Sequence, residues 1–138
     1  MNALIVDDNP LVCVSLERML GNRGIAGVSV GTGARAMAEL RRSVYALIFL
    51  DIHLPDANGV EMLAEVRRLA PGSHVLVMSS DATEDLAQRA IAGGALRCFE
   101  KSRGPARIIA ETLEAVGALP PEAGRAGPPD ALTPSRTS

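Results

Sequence analysis

The fold of this chain is indicated first by residues 3–20, which read A-L-I-V-D-D-N-P-L-V-C-V-S-L-E-R-M-L. The four apolar residues at 3–6 have the length of a short strand, and the polar run that follows ends it. Pro10 suits the first turn of a helix, where its missing N–H leaves no hydrogen bond unmade. Apolar residues then recur at helical spacing up to Leu20. The stretch predicts a strand, a polar loop and a helix in succession.

The same succession recurs four more times along the chain. The predicted strands are 3–6, 25–30, 47–50, 74–79 and 97–100, and the predicted helices are 10–20, 34–42, 60–69, 83–92 and 106–119. Strands such as L-I-F-L and V-L-V-M are apolar throughout, which is typical of parallel strands covered by helices on both faces. We therefore predict an α/β fold with a doubly wound, five-stranded parallel sheet.

The length of 138 residues and the composition suit a protein with one domain. We assign residues 1–119 to this domain, and residues 120–138, rich in Pro, Gly and Ala, to a disordered tail or linker with little to bury. A net charge of −2 and only three aromatic residues disfavour direct nucleic acid binding. The chain lacks a secretory signal pattern and a long apolar run, so we expect a cytoplasmic protein that makes no membrane contact and keeps its cysteines reduced.

Chemically active side chains follow four of the five predicted strands. They are Asp7, Asp8, Asp51, Ser79 and Lys101, the last being the only lysine in the chain. Taken singly, such residues often cap a helix or form a turn, but ligands bind at the carboxyl ends of parallel strands, where these residues would meet. Neighbouring carboxylates predict a divalent cation such as Mg²⁺. A carboxylate can also accept a phosphoryl group, whose charge a lysine and a hydroxyl would neutralise.

At these residues the sequence resembles the receiver domain of bacterial two-component response regulators. The matching segments are L-I-V-D-D-N-P-L-V at 4–12, L-I-F-L-D-I-H-L-P-D-A-N-G at 47–59, V-L-V-M-S-S at 75–80 and G-A-L-R-C-F-E-K-S at 94–102. The resemblance extends over residues 2–119 and implies the flavodoxin-like (βα)₅ receiver fold.

The resemblance implies a role for each matching residue. Asp51 would be the phosphoacceptor, and Ser79 and Lys101 would contact the phosphoryl group. Mg²⁺ would be bound directly by Asp8, Asp51 and the backbone carbonyl of His53, whereas Asp7 would act on it only indirectly, through water or through another ligand. The chain would catalyse only its own phosphotransfer and dephosphorylation, and its partner would be a sensor histidine kinase or a histidine phosphotransfer protein.

Two positions depart from the common receiver pattern. Cys98 stands three residues before Lys101, where relatives usually carry Tyr or Phe, and Phe99 comes one residue later. Ser102 replaces a common proline and, with D-D-N-P-L-V, is similar to regulators of the NarL/FixJ class, which normally continue into a helix-turn-helix domain. The segment A-L-T-P-S-R at 131–136 is similar to the start of such a domain, so one alternative is a receiver fragment of a transcription factor.

Two further alternatives have less support. Gly31, Gly33 and the later Asp51 satisfy a loose dinucleotide-binding pattern, but the glycines follow the second predicted strand instead of the first. A phosphatase with an aspartate nucleophile would need a second Asp and a Thr where this chain has His53 and Pro55.

Overall fold

Residues 1–118 are described by the structure, a computed structural model, and residues 119–138 lie outside the description. Five strands form one parallel sheet in the order β2-β1-β3-β4-β5. The strands are β1 (Asn2–Val6), β2 (Ala26–Val30), β3 (Leu47–Asp51), β4 (His74–Ser79) and β5 (Arg97–Glu100). The predicted five-stranded parallel sheet is confirmed, whereas the tail proposed for 120–138 falls outside the described residues.

Each strand leads into a helix. The helices are α1 (Pro10–Gly21), α2 (Gly33–Arg42), α3 (Gly59–Leu69), α4 (Glu84–Ala92) and α5 (Pro105–Gly117). A 3-10 turn at Lys101–Arg103, which the sequence did not predict, separates β5 from α5. Thr83 was predicted to begin the fourth helix and instead caps it, because its Oγ1 accepts a hydrogen bond from the backbone N–H of Leu86 at 3.1 Å.

Side-chain caps fix where four of these helices begin. The capping residues are Asn9, Thr32, Asn58 and Thr83, each with an extended backbone and a side-chain oxygen that accepts a backbone N–H. At the start of α1, for example, Oδ1 of Asn9 accepts from the N–H of Leu11 at 3.0 Å. All four caps stand between the carboxyl end of a strand and the next helix, so they also fix the loops at that edge.

The sheet separates two apolar layers. On one face α1 and α5 cover a cluster that includes Leu16, Phe49 and Ile108. On the other face α2, α3 and α4 cover a cluster that includes Leu50 and Leu63. Both faces of β1 and β3 are covered, which explains why their sequences show no polar alternation. Within residues 1–118, no helix has the length and apolar character needed to cross a bilayer.

The strand order creates a switch point between β1 and β3. The chain passes from β1 to β2 on one side and from β3 to β4 on the other, so the two connections diverge and leave a crevice at the carboxyl ends. The opposite, amino edge carries both ends of the described chain. Met1 is 65% exposed there, and Ala118 lines a surface hollow with Arg97, the first residue of β5.

Candidate functional site

Three carboxylates meet at the switch point. Asp7 and Asp8 follow β1, and Asp51 is the last residue of β3, the strand paired with β1. One carboxylate oxygen from each lies within 4.8 Å of the others. Asp7 and Asp51 are each only 2% exposed, whereas Asp8 is exposed. The predicted acidic cluster is therefore present, with two buried members and one open to solvent.

Lys101 bridges the two buried carboxylates. Its Nζ lies 2.7 Å from Oδ2 of Asp7 and 3.1 Å from Oδ2 of Asp51. Burial would lower the pKa of the Lys101 ammonium, but the hydrogen bonds and charges of both carboxylates outweigh it, and the pKa is raised. The sequence placed Lys101 at this edge, and the structure adds that its side chain reaches past the end of β4 to β3 and β1.

The pKa of the Asp51 carboxyl is raised above its usual value. Burial is the largest cause, and the negative charge of Asp7 acts in the same direction. The ammonium of Lys101 and the backbone N–H of His53, which donates to Oδ1 of Asp51 at 3.3 Å, oppose the rise. Further positive charge at this position would stabilise the ionised carboxylate.

Asp7 is held on two sides. Its Oδ1 accepts a hydrogen bond from the backbone N–H of Asn9 at 2.8 Å, and its Oδ2 contacts Lys101. Its backbone carbonyl accepts from the thiol of Cys13 at 3.3 Å. Burial raises the pKa of this thiol, so Cys13 serves as a neutral donor that fixes the loop after β1. Sequence reasoning gave Cys13 no place near the site, because a helix period alone does not show which loop a buried side chain meets.

The β3–α3 loop, residues 52–58, has a compact backbone. His53 and Asn58 form an isolated antiparallel bridge, flanked by hydrogen bonds from the N–H of Gly59 to the carbonyl of Ile52 at 2.8 Å and from Leu54 to Ala57 at 3.2 Å. These bonds leave the carbonyl of His53 out of the bridge. A Cβ on Gly59 would lie 2.5 Å from the carbonyl oxygen of Asp51, so the close turn after β3 requires glycine.

Ser79 stands at the carboxyl end of β4, fully buried. Its Oγ accepts a hydrogen bond from the backbone N–H of Asp81 at 3.1 Å, which fixes the start of the loop toward α4. Cys98 lies one strand further, half-buried, and packs against the layer under α4. Phe99 faces the opposite layer, so it does not take the place of the aromatic residue missing at 98.

Asp56 was missed by the sequence analysis. Its two carboxylate oxygens accept hydrogen bonds from the backbone N–H groups of Gly33 at 2.8 Å and Ala34 at 3.0 Å, at the start of α2. The sequence signal was a Pro-Asp pair, which predicts a turn but not a helix cap supplied from another loop. In the dinucleotide alternative these amides would bind phosphate, and here they bind Asp56.

A family model for the response regulator receiver domain matches residues 3–113. Because the match covers most of the chain and coincides with the sheet, its helices and the acidic cluster, the chain belongs to this family, whose members are signalling domains.

Individual relatives agree with this assignment. The transcriptional activator protein ExaE of Pseudomonas putida is 30% identical over 112 residues, which are 79% of this chain and 52% of that protein. The chain thus spans about half the length of this relative. A crystal structure of a response regulator protein from Burkholderia pseudomallei, with a phosphorylated aspartic acid, calcium ion and citrate, is 26% identical with a TM-score of 0.74, covering 85% of this chain and 72% of that one.

The fold alone is shared with a CheY-like receiver domain protein from Methanospirillum hungatei JF-1. That structure has a TM-score of 0.78 at 24% identity, over 84% of this chain and 93% of the other.

Proposed function

We propose that this chain is the phosphoacceptor receiver of a two-component or phosphorelay system, in which Asp51 accepts a phosphoryl group in the presence of Mg²⁺. The observation that carries the proposal is the cluster of Asp7, Asp8 and Asp51 at the switch point, with Lys101 paired to its two buried members. The phosphorylated aspartic acid of the Burkholderia relative supports the same chemistry here.

The donor set of the cluster fits a hard divalent cation. Mg²⁺ is usually bound through one or two carboxylates together with water and phosphate oxygens. When ionised, the three carboxylates carry three negative charges against the one positive charge of Lys101, which leaves two to be neutralised. We propose that Asp8, Asp51 and the carbonyl of His53 bind Mg²⁺ directly and that Asp7 acts on it indirectly, through water or through another ligand.

The residues of the chain have separate tasks in phosphotransfer. A carboxylate oxygen of Asp51 attacks the phosphorus of a phosphohistidine, the new O–P bond forms, and the P–N bond breaks with its electron pair leaving on the imidazole. Lys101, already 3.1 Å from Asp51, neutralises the transferred group, and Ser79 donates its hydroxyl to a phosphoryl oxygen. When bound, Mg²⁺ would offset charge on the phosphoryl oxygens.

The donor that suits this site is the phosphohistidine of a sensor histidine kinase or a histidine phosphotransfer protein. The chain then needs no chemistry beyond its own phosphotransfer and dephosphorylation. A turnover phosphatase has less support, because His53 occupies the position where such an enzyme places its general acid.

Replacing Asp51 tests the function directly. Incubated with acetyl phosphate and Mg²⁺, the wild-type chain should gain one phosphoryl group by intact mass, and Asp51→Asn should gain none because the amide lacks the nucleophilic oxygen. Excess chelator should suppress the wild-type reaction. Asp85→Asn, which changes an exposed carboxylate on α4, is the matched control and should react normally. Labelling that persists in Asp51→Asn would refute the proposal.

A second candidate concerns the output. The relative ExaE is a transcriptional activator about twice the length matched here, and A-L-T-P-S-R at 131–136 is similar to the start of a helix-turn-helix domain. The chain would then be the receiver part of a transcription factor. The other output is that of a stand-alone receiver, which binds a partner protein or passes the phosphoryl group onward. Sequencing the gene beyond codon 138 distinguishes the two, since a helix-turn-helix region in any frame favours the transcription factor.

A further inference from the structure

The carboxylate of Asp56 joins two loops that are far apart in sequence. It lies in the β3–α3 loop and binds the first two amides of α2, Gly33 N at 2.8 Å and Ala34 N at 3.0 Å. Thr32, the local cap of α2, binds the third amide, that of Arg35, at 3.1 Å. The free N–H groups at the start of α2 are therefore shared between its own cap and a residue from beside the phosphoacceptor.

The contact between the loop and the helix is close. A Cβ on Gly33 would lie 2.9 Å from Cβ of Ala57 and 3.0 Å from Sδ of Met62, so only glycine lets α2 approach the loop this far. The hydrogen bonds from Gly33 and Ala34 lower the pKa of the Asp56 carboxyl, which keeps it ionised beside the positive end of the helix.

The connection between β2 and α2 also lies beside the loop that carries Asp8. Gly31, two residues before α2, approaches Asp8, because a Cβ there would lie 3.9 Å from its Cα. The β2–α2 connection therefore lies beside the loop that carries Asp8 and, through the hydrogen bonds of Asp56, is joined to the loop that carries His53. The start of α2 therefore lies between the two loops that would supply the metal ligands Asp8 and His53.

We infer that Asp56 is a positioning residue for the metal side of the site: its two hydrogen bonds to α2 hold the β3–α3 loop so that the carbonyl of His53 stands beside Asp51. The inference rests on the proposed function, since it concerns the same cation. Asp56 itself would contact neither the cation nor the phosphoryl group.

Asp56→Ala should weaken Mg²⁺ binding about tenfold, the lower end of the roughly 10–100-fold loss seen when residues that orient metal ligands are removed. Asp56→Asn should recover part of the affinity, because its amide oxygen still accepts one of the two hydrogen bonds. Glu61→Ala is the matched control, because it likewise removes one carboxylate close to this loop. Glu61 stands in the first turn of α3, and its exposed side chain does not join two loops.

The experiment titrates each variant with Mg²⁺ alone and follows backbone amide shifts, with urea unfolding in chelator to confirm that each variant is folded. The expected order of affinity is wild type and Glu61→Ala, then Asp56→Asn, then Asp56→Ala. Equal affinities, with Asp56→Ala merely less stable, would show that Asp56 only supports the fold and would overturn the inference while the proposed function stands. A wild-type chain that binds no Mg²⁺ and takes no phosphoryl group would overturn both.

Discussion

At the scale of single residues, Lys101 dominates the electrostatics of the site. Its ammonium is the cation paired with both buried carboxylates, and its side chain is only 20% exposed. Burying a charge is unfavourable unless a partner compensates it, so Asp7 depends on Lys101 as long as no metal ion is bound. The lysine thus stabilises the metal-free domain, in addition to the part proposed for it in phosphotransfer.

Lys101→Met should therefore destabilise the metal-free domain. We expect the free energy of unfolding in chelator to fall by about 3 kcal/mol, the lower end of the range for removing one partner of a buried ion pair, because Lys101 is partly exposed. Saturating Mg²⁺ should restore part of the loss relative to the wild type, because the bound cation would supply beside Asp7 and Asp51 the positive charge that the variant lacks. Urea unfolding with and without Mg²⁺ is the measurement.

Arg89→Met, which removes an exposed cation from α4, is the control for this experiment and should cost little under either condition. A loss for Lys101→Met that is the same with and without Mg²⁺ would contradict the role given to the acidic cluster.

The site residues differ in how far the sequence could predict them. Asp7, Asp8, Asp51 and Lys101 were predictable because each stands at or just after the carboxyl end of a strand, and parallel strands bring these ends to one edge. Asp56 was not, because its partners on α2 lie 22 and 23 residues away and a cap supplied by another loop leaves no local pattern.

At the scale of elements, the connection from β4 to α4 is the segment that phosphorylation should move. Ser79 holds its start by accepting the N–H of Asp81. A phosphoryl group would offer the hydroxyl a charge-assisted hydrogen bond that exists only in the phosphorylated state, which is the differential affinity a population shift requires. Cys98 is small, so we expect backbone shifts of the loop and α4 instead of the rotation of an aromatic ring.

Ser79→Ala should abolish this response. Hydrogen exchange with and without a beryllofluoride mimic should show changed protection over residues 80–100 in the wild-type chain and little change in the variant, because alanine cannot bind the phosphoryl group. Ser80→Ala, an exposed neighbour, should respond as the wild type does. The same difference pattern in both variants would refute the mechanism.

The elements themselves were largely predictable, and the exceptions have physical causes. Apolar runs located β1, β3 and β4, because strands covered on both faces carry a continuous hydrophobic signal. The edge strands β2 and β5 carry polar residues, and the recurring alternation of strand and helix located them. The 3-10 turn at Lys101–Arg103 was not predictable, since three polar residues after a strand have no periodicity. Thr83 was placed inside a helix because its cap function appears only in the backbone geometry.

At the scale of the whole molecule, the described residues contain a complete two-layer core. The buried residues of α5, among them Ile108 and Ile109, all precede residue 118, and the N–H of Ala118 closes the helix on the carbonyl of Glu114 at 3.1 Å. The two apolar layers formed within residues 1–118 therefore support the edge of the sheet that carries Asp51.

A chain ending at residue 118 should match the full-length chain. We expect its free energy of unfolding to agree within about 0.5 kcal/mol, the usual range for changes away from packed residues, and its phosphorylation rate to be unchanged. Urea unfolding and acetyl phosphate labelling measure both. A chain ending at residue 104 lacks α5 and should fail to fold, which shows that the assay detects a lost element. Clear destabilisation of the 118-residue chain would mean that residues 119–138 contribute to packing.

The placement of both ends of the described residues at the amino edge has a practical consequence for studying this protein. Met1 and Ala118 both lie on the side of the sheet away from Asp51. A fluorophore, an affinity handle or a solid support joined near either end would leave the carboxyl edge open to bulk solution. Surface-based kinetics with an immobilised chain should then report encounter rates with a phosphohistidine donor that are close to those of the untethered molecule.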